Sequence, residues 1–188
     1  DGDDLILQSN DRIQRRRGGD GTLIDEAPWN GAGSPADGWS TIQRDPALVR
    51  RDGVEAVATY ELGEGGVDEV PWLVRATDDR VFVARGNRLV EVDPATGAVV
   101  RSRDLGGTIS GMDRAGELLW VTTVVGRGAE DPSSPDGTRL PWSIGNLLAI
   151  DARGVIRMAQ RGILERVSIG TAVEIEGDIL YVSAGESG

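Results

Sequence analysis

Residues 78–114, which read DDRVFVARGNRLVEVDPATGAVVRSRDLGGTISGMDR, decide the fold. Residues 81–83 predict a short apolar strand, Gly86-Asn87 turns the chain, and residues 89–92 predict a second strand. The turn at 93–97, Asp-Pro-Ala-Thr-Gly, then leads into a further strand at 98–105. One such unit cannot bury its own faces, so the pattern predicts several units packed against one another.

A short phrase recurs along the chain: an acidic or glycine turn, three apolar residues, and then a small or polar residue. Its four copies begin at Gly2, Asp78, Gly116 and Gly177. The spacing from Phe82 to Trp120 is close to the ~40 to 45 residues of a four-stranded propeller blade. The sequence therefore predicts an all-β fold, a partial β-propeller of about three four-stranded antiparallel blades, in a single domain spanning residues 1–188.

Blade boundaries follow from the spacing of the repeated phrase. The predicted units are residues 1–62, 67–105, 107–160 and 167–188, with long loop insertions at 18–53 and 126–143. Within the first insertion, Asp45-Pro46 predicts a short helical turn over residues 45–50. Residues 31–36, GAGSPA, formally match a dinucleotide fingerprint, but no apolar strand precedes them and we interpret them as a loop. Because the chain begins and ends inside blades, we expect an open ring.

The turn 93–97, together with the strand at 81–83, resembles the quinoprotein-like (PQQ-like) and YVTN-like propeller repeats. The resemblance covers residues 54–125. Quinoprotein dehydrogenase blades usually carry a tryptophan after this turn, whereas residues 98–101 here read AVVR. The resemblance therefore implies a propeller architecture, and the departure at this turn counts against a quinone-binding enzyme.

Composition narrows the classes of function. The 188 residues include 27 glycines, which is typical of a turn-dense fold, and they carry a net charge of -11, which repels nucleic acids and anionic membranes. Arg15-Arg16-Arg17 is a local basic spot for which we expect surface ion pairs. Neither cysteine nor histidine is present, so Ser-His-Asp catalysis and most zinc or copper sites are excluded. No apolar run approaches the ~20 residues of a membrane span.

Two sets of residues are candidates for binding. Asp131 and Asp136, in an acidic loop, could supply oxygen ligands to calcium, although the spacing of a recognised calcium loop is missing and a solvated loop is favoured. Trp29, Trp39 and Trp142 lie in the predicted insertions, where they are binding-loop candidates. Anchoring of the loops is favoured over ligand binding for all three.

The sequence favours a non-catalytic propeller segment that acts as a binding or assembly module, since loops of several blades converge at one face. We predict no cofactor, and as partner the remainder of the propeller or another protein subunit. A quinoprotein-like oxidoreductase or propeller lyase with catalytic residues outside this chain, and a structural subunit of an extracellular assembly, are the alternatives. The chain begins at Asp1 without a methionine, and we expect an extracytoplasmic or secreted protein whose leader has been removed.

Overall fold

A computed structural model of the chain describes residues 4–9, 11–29, 31–36, 38–42, 45–62, 71–77, 79–126, 129, 143–165, 173–176 and 179–182. The described residues contain seventeen β-strands and no helix. In that part of the chain there is accordingly no helix long and apolar enough to cross a lipid bilayer.

The strands are short, and turns or longer segments separate them. In chain order they are β1 (Leu5–Gln8), β2 (Arg12–Arg16), β3 (Leu23–Pro28), β4 (Gly31–Ala36), β5 (Trp39–Ile42), β6 (Asp45–Asp52), β7 (Glu55–Glu61), β8 (Pro71–Ala76), β9 (Val81–Arg85), β10 (Arg88–Val92), β11 (Val99–Asp104), β12 (Thr108–Ala115), β13 (Leu118–Val125), β14 (Ile144–Asp151), β15 (Ile156–Glu165), β16 (Val173–Glu176) and β17 (Ile179–Val182).

These strands form five antiparallel sheets in which each strand pairs with its neighbour in sequence. Sheet I contains β1–β3, sheet II β4–β7, sheet III β8–β11, sheet IV β12–β15 and sheet V β16–β17. The first strands of successive sheets contact one another, β4 with β8, β8 with β12, and β12 with β16. Three sheets are four-stranded and the described sheets are not closed into a ring, as the sequence predicts.

Sheet III shows why the sheets must stack. All five residues of β9 are buried, so both faces of this strand are covered. Val81 and Val83 contribute to an apolar cluster with sheet II, whereas Phe82 and Ala84 contribute to another with sheet IV. Because successive side chains of a strand point to opposite faces, this continuous apolar run supplies two interfaces at once.

Each turn between the third and fourth strands of sheets II, III and IV carries a glycine that lies against the preceding sheet. A Cβ added at Gly53 would lie 3.4 Å from Nη1 of Arg15, and one added at Gly97 would overlap the ring of Tyr60. A Cβ at Gly154 would lie 2.5 Å from Oε1 of Glu91. Gly97, which ends the Asp-Pro-Ala-Thr-Gly turn, and Gly154 thus permit close contact between successive sheets, whereas a Cβ at Gly53 would make an ordinary van der Waals contact.

Residues 18–53 are not an insertion, contrary to the sequence-based prediction. They contain β3, the last strand of sheet I, and β4–β6, the first three strands of sheet II. The predicted unit 1–62 therefore comprises two sheets. The predicted helical turn at 45–50 is also wrong, since these residues lie in β6 and pair with both β5 and β7. Pairing across the sheet overrides the local Asp-Pro signal here.

Sheet II buries polar residues on β5 and β6 next to its apolar ones, which explains why these two strands were not recognised. Ser40 and Thr41 are buried on β5, and Arg51 of β6 is only 9% exposed. Arg51 donates from Nε to Ser40 Oγ at 2.8 Å and from Nη1 to the Val54 carbonyl at 2.7 Å. Burial lowers the pKa of the Arg51 guanidinium. Polar residues at these positions break the apolar alternation that predicts a strand.

The segment 126–143 connects β13 to β14, the second and third strands of sheet IV, as predicted. Most of its residues lie outside the described part of the chain.

Candidate functional site

Three tight turns meet at one end of sheets III and IV. In an antiparallel meander, the turn after the first strand and the turn after the third strand lie at the same end of the sheet. This end therefore carries the β8–β9 connection, whose described residues are 77, 79 and 80, the β12–β13 turn at 116–117 and the β14–β15 turn at 152–155. Their charged side chains project from two adjacent sheets into a shared space.

A cleft of about 620 Å³ lies between these turns. Its charged and polar lining comprises Thr77, Asp79, Arg80, Arg114, Glu117 and Arg153. The volume falls within the ~300–1,000 Å³ that is typical of ligand pockets. Three guanidinium groups in one cleft are unexpected on a chain with a net charge of -11, and we call this feature the arginine cleft.

Backbone carbonyls hold two of the three arginines. Arg114 donates from Nε to the Gly116 carbonyl at 2.9 Å and from Nη1 to the Ala76 carbonyl, across in sheet III, at 3.4 Å. Arg80 donates from Nη1 to the Asp79 carbonyl at 2.6 Å. Carbonyl oxygens orient these guanidinium groups without neutralising their charge.

The ion pairing of the arginine cleft can be compared with that of the other described arginines. Seven of those have a carboxylate oxygen within 4.0 Å; they are Arg12, Arg15, Arg17, Arg75, Arg101, Arg103 and Arg157. Arg16 and Arg51 instead donate to amide, carbonyl or hydroxyl oxygens. No described carboxylate lies within that distance of a guanidinium nitrogen of Arg80, Arg114 or Arg153. Arg15 and Arg17 of the basic spot are among the paired residues, as expected. Asp79 and Glu117 line the same cleft, and the charge of Arg80 contributes, after the backbone amide hydrogen bonds, to the lowered pKa of Asp93, but none of these carboxylates forms a direct ion pair with the three arginines.

Aspartates fix the two turns that border this region. Asp151 Oδ1 accepts hydrogen bonds from the amides of Arg153 at 3.0 Å and Val155 at 2.8 Å. The hydrogen bond from the Val155 amide is the main reason why the pKa of Asp151 lies below its ordinary value. Amide hydrogen bonds from Thr96 and Ala95 likewise lower the pKa of Asp93 in the β10–β11 turn. The backbone that carries Arg153 is thus held in one conformation.

An ion pair within sheet III lies against the β14–β15 turn of sheet IV. Glu91 of β10 is 1% exposed and accepts a hydrogen bond on Oε1 from Nη2 of Arg103 at 2.7 Å. The backbone of Gly154, next to Arg153, lies directly against both side chains. The carboxylate thus fixes the position of the turn relative to sheet III.

A second cleft, of about 570 Å³, lies at the opposite end of the same sheets, where Gly86, Asn87, Gly107 and Gly126 line it. Its principal polar groups are already paired. Asn87 Nδ2 donates to Asp104 Oδ2 at 2.6 Å, and the Gly106 amide donates to Asp104 Oδ1 at 2.7 Å. The arginine cleft is therefore the better candidate for ligand binding.

Two of the predicted binding-loop residues lie between sheets. Trp29 and Trp39 are each 6% exposed. Trp29 packs with Ile13 and Val54, with the Arg51 guanidinium 4.9 Å from its ring centre. Trp39 lies on β5, and its ring centre is 6.0 Å from that of Tyr60. Both tryptophans therefore contribute to packing and present little surface to a ligand.

The remaining predicted site residues, Trp142, Asp131 and Asp136, lie outside the described part of the chain. Within the described residues, no group of three or more potential ligands could hold a metal ion. Sequence reasoning missed Arg80, Arg114 and Arg153. Each of the three adjoins a turn in the repeat, in the phrases DDR, DRAGE and DARG, and this recurrence is the signal that could have identified them.

No known protein family and no curated protein sequence matches this chain. Solved structures do resemble it. The BBS1N domain, crystallised in complex with ARL6DN, matches 96% of this chain over 58% of its own length, with 10% identity and a TM-score of 0.60. The WD40 β-propeller domain of Doa1 matches 93% over 54%, with 12% identity and a TM-score of 0.58.

The WD40 domain of Neurospora crassa Pan2 matches 82% of the chain over 48% of its own length, with 10% identity and a TM-score of 0.53. The chain thus spans about half the length of these solved structures. At such low identity the likeness concerns the fold alone. Together with the five stacked sheets, it identifies this chain as a segment of a β-propeller that is not closed.

Proposed function

We propose that this chain is a non-catalytic β-propeller segment that acts as an assembly module, and that further blades of the same propeller cover its two end sheets. The observation that carries the proposal is the exposure of apolar residues on β1 of sheet I and β17 of sheet V. The lack of histidine and cysteine supports a role without catalysis. The repeat phrase at residues 78–97 supports a place among the quinoprotein-like and YVTN-like repeats.

On sheet I, Leu5 and Leu7 lie on the outward face beside the polar Arg16 and Gln14, with which they pair. Ile13 of β2 is buried against sheet II, and the register pairs Ile13 with Gln8 and Arg15 with Ile6. Because side chains alternate, Leu5 and Leu7 point away from sheet II. They are 48% and 46% exposed.

Sheet V has a similar outward face. The Ile175 amide donates to Asp113 Oδ2 of sheet IV at 2.9 Å, so the two sheets are in contact. Ile179 and Tyr181 share one face of β17 and are 56% and 50% exposed, whereas Leu180, on the other face, is half-buried. Both ends of the stack thus present apolar strands of the type that sheets II–IV bury between them, and such faces favour association.

The experiment is light scattering of the purified 188-residue chain, alone and mixed with a polypeptide that carries the remaining blades. We expect the chain alone to self-associate, and the mixture to form one complex of defined mass. The variants Leu7→Glu and Ile179→Glu should weaken formation of the complex. Val57→Glu is the matched control, because Val57 is 55% exposed on β7, the outer strand of a sheet that is covered on both sides. A stable monodisperse monomer of 19.9 kDa would refute the proposal.

A further inference from the structure

We infer that the arginine cleft binds a compact oxyanion, a small molecule that carries two or three carboxylate or phosphoryl groups. The inference deepens the proposed function, since it names a ligand class for the binding module. The cleft lies between sheets III and IV, which are both present in this chain, so its ligand binding can be tested separately from completion of the ring.

The arginine cleft offers guanidinium N–H donors that the described residues do not use. A guanidinium has five N–H donors. Arg114 uses two of them on backbone carbonyls and Arg80 uses one. Among the described residues, the Arg153 guanidinium has no hydrogen-bond partner. Most donors of the cleft therefore remain free, and their planar geometry suits carboxylate and phosphate oxygens.

Contacts within the protein orient the donors of the arginine cleft. Arg114 is fixed between its own turn and the Ala76 carbonyl of sheet III, and Arg80 is fixed on the facing turn. The turn that carries Arg153 is held by Asp151 and by close contact with Glu91. The three groups thus start from separate turns on two sheets and enclose a common space, an arrangement that can contact one ligand from several sides.

The acidic residues in and around the arginine cleft limit the size and charge of its ligand. Asp79 and Glu117 line the same cleft, and the whole chain carries a net charge of -11. A long polyanion, such as a nucleic acid or an extended acidic peptide, would place its further charges next to these carboxylates. A compact anion can contact the guanidinium groups while placing fewer charges near these carboxylates. The observations therefore favour a small molecule.

The test is titration calorimetry on the complete polypeptide that carries this chain, at low ionic strength, where the attraction is least screened. Citrate and inorganic pyrophosphate are titrated separately, which distinguishes a carboxylate ligand from a phosphoryl ligand. We expect one of them to bind with a stoichiometry of one. Arg114→Gln and Arg153→Gln should weaken binding by about 10-fold or more, since each removes charge-assisted hydrogen bonds.

Arg50→Gln is the matched control, because Arg50 is exposed on β6 of another sheet and loses the same charge. It should bind as the wild type does. Arg153→Gln guards against a folding artefact, since its side chain has no partner among the described residues. The inference is overturned if neither anion binds, if both cleft variants bind like the control, or if only a glutamate-rich peptide binds. Light scattering of the same samples shows separately whether the assembly is intact.

Discussion

Replacing Gly97 with alanine tests the contact on which the stacking of sheets II and III depends. Gly97 has a φ of +72°, and an added Cβ would overlap the Tyr60 ring. Tyr60 in turn packs on Trp39 and on the apolar cluster between the two sheets. The substitution therefore has two separable costs, one in the backbone and one in the packing.

The backbone cost is about 1–2 kcal/mol, because a Cβ in the left-handed region approaches the following carbonyl oxygen. The packing cost is about 1–3 kcal/mol, which is typical when added atoms force side chains out of a filled interior. We therefore expect Gly97→Ala to lower the free energy of unfolding by about 2–5 kcal/mol. The assay is urea denaturation with linear extrapolation.

Gly106→Ala is the control, because Gly106 has a similar φ of +77° and an added Cβ there would have no heavy atom within 4 Å. Gly106→Ala should lower the free energy of unfolding by the backbone cost alone, about 1–2 kcal/mol. In a Tyr60→Ala background, Gly97→Ala should lose most of its excess cost, since the clashing ring is gone. Equal effects of the two alanine substitutions in the wild-type background would refute the close contact between the turn and the preceding sheet.

Three further predictions concern buried and turn residues. Glu91→Ala should lower the free energy of unfolding by about 3–5 kcal/mol in the same assay, because it leaves the Arg103 charge without its partner at 2.7 Å. The free energy of unfolding should fall as the pH drops below about 4. The folded-state pKa values of Asp93 and Asp151 lie below the unfolded-state pKa of ~3.9. The stabilisation by these two ionised carboxylates is therefore complete above the unfolded-state pKa and is lost as the pH falls through the folded-state pKa. Urea titrations across this pH range should show a smaller loss of unfolding free energy for Asp93→Asn than for the wild type. An equal loss would contradict the assignment of this pH dependence to Asp93. Trp39→Ala should lower the free energy of unfolding by about 3–5 kcal/mol, since a buried indole is removed, and a neutral effect would restore Trp39 as a binding-loop residue.

Sheet III could be predicted from the sequence because its information is local. The strands at residues 81–92 have alternating or continuous apolar residues. The Asp-Pro-Ala-Thr-Gly turn, which consists of typical turn residues, separates them from the next strand. Sheet II could not be predicted in this way. Its second strand buries Ser40, whose hydroxyl accepts a hydrogen bond from Arg51 on the neighbouring strand. A polar residue whose partner lies on another strand looks like a loop residue in the sequence.

The arginine cleft was not predicted for a related reason. Arg80, Arg114 and Arg153 are far apart in the sequence, and each alone resembles a solvated turn residue. Their convergence depends on two stacked sheets that place three turns at the same end, which no single stretch of the sequence shows. The net charge of -11 also predicts that the chain repels anions, because a value for the whole chain conceals a local excess of arginine.

The turn glycines that lie against the preceding sheet give the stack a direction. The surface that receives each turn belongs to the sheet that precedes it in the chain: Arg15 for Gly53, Tyr60 for Gly97 and Glu91 for Gly154. During synthesis this surface leaves the ribosome before the turn that docks on it. We therefore expect the sheets to fold in order from the N-terminus, each using its finished predecessor as a template, so that ribosome-bound chains truncated after residue 105 already protect sheet II from proteolysis.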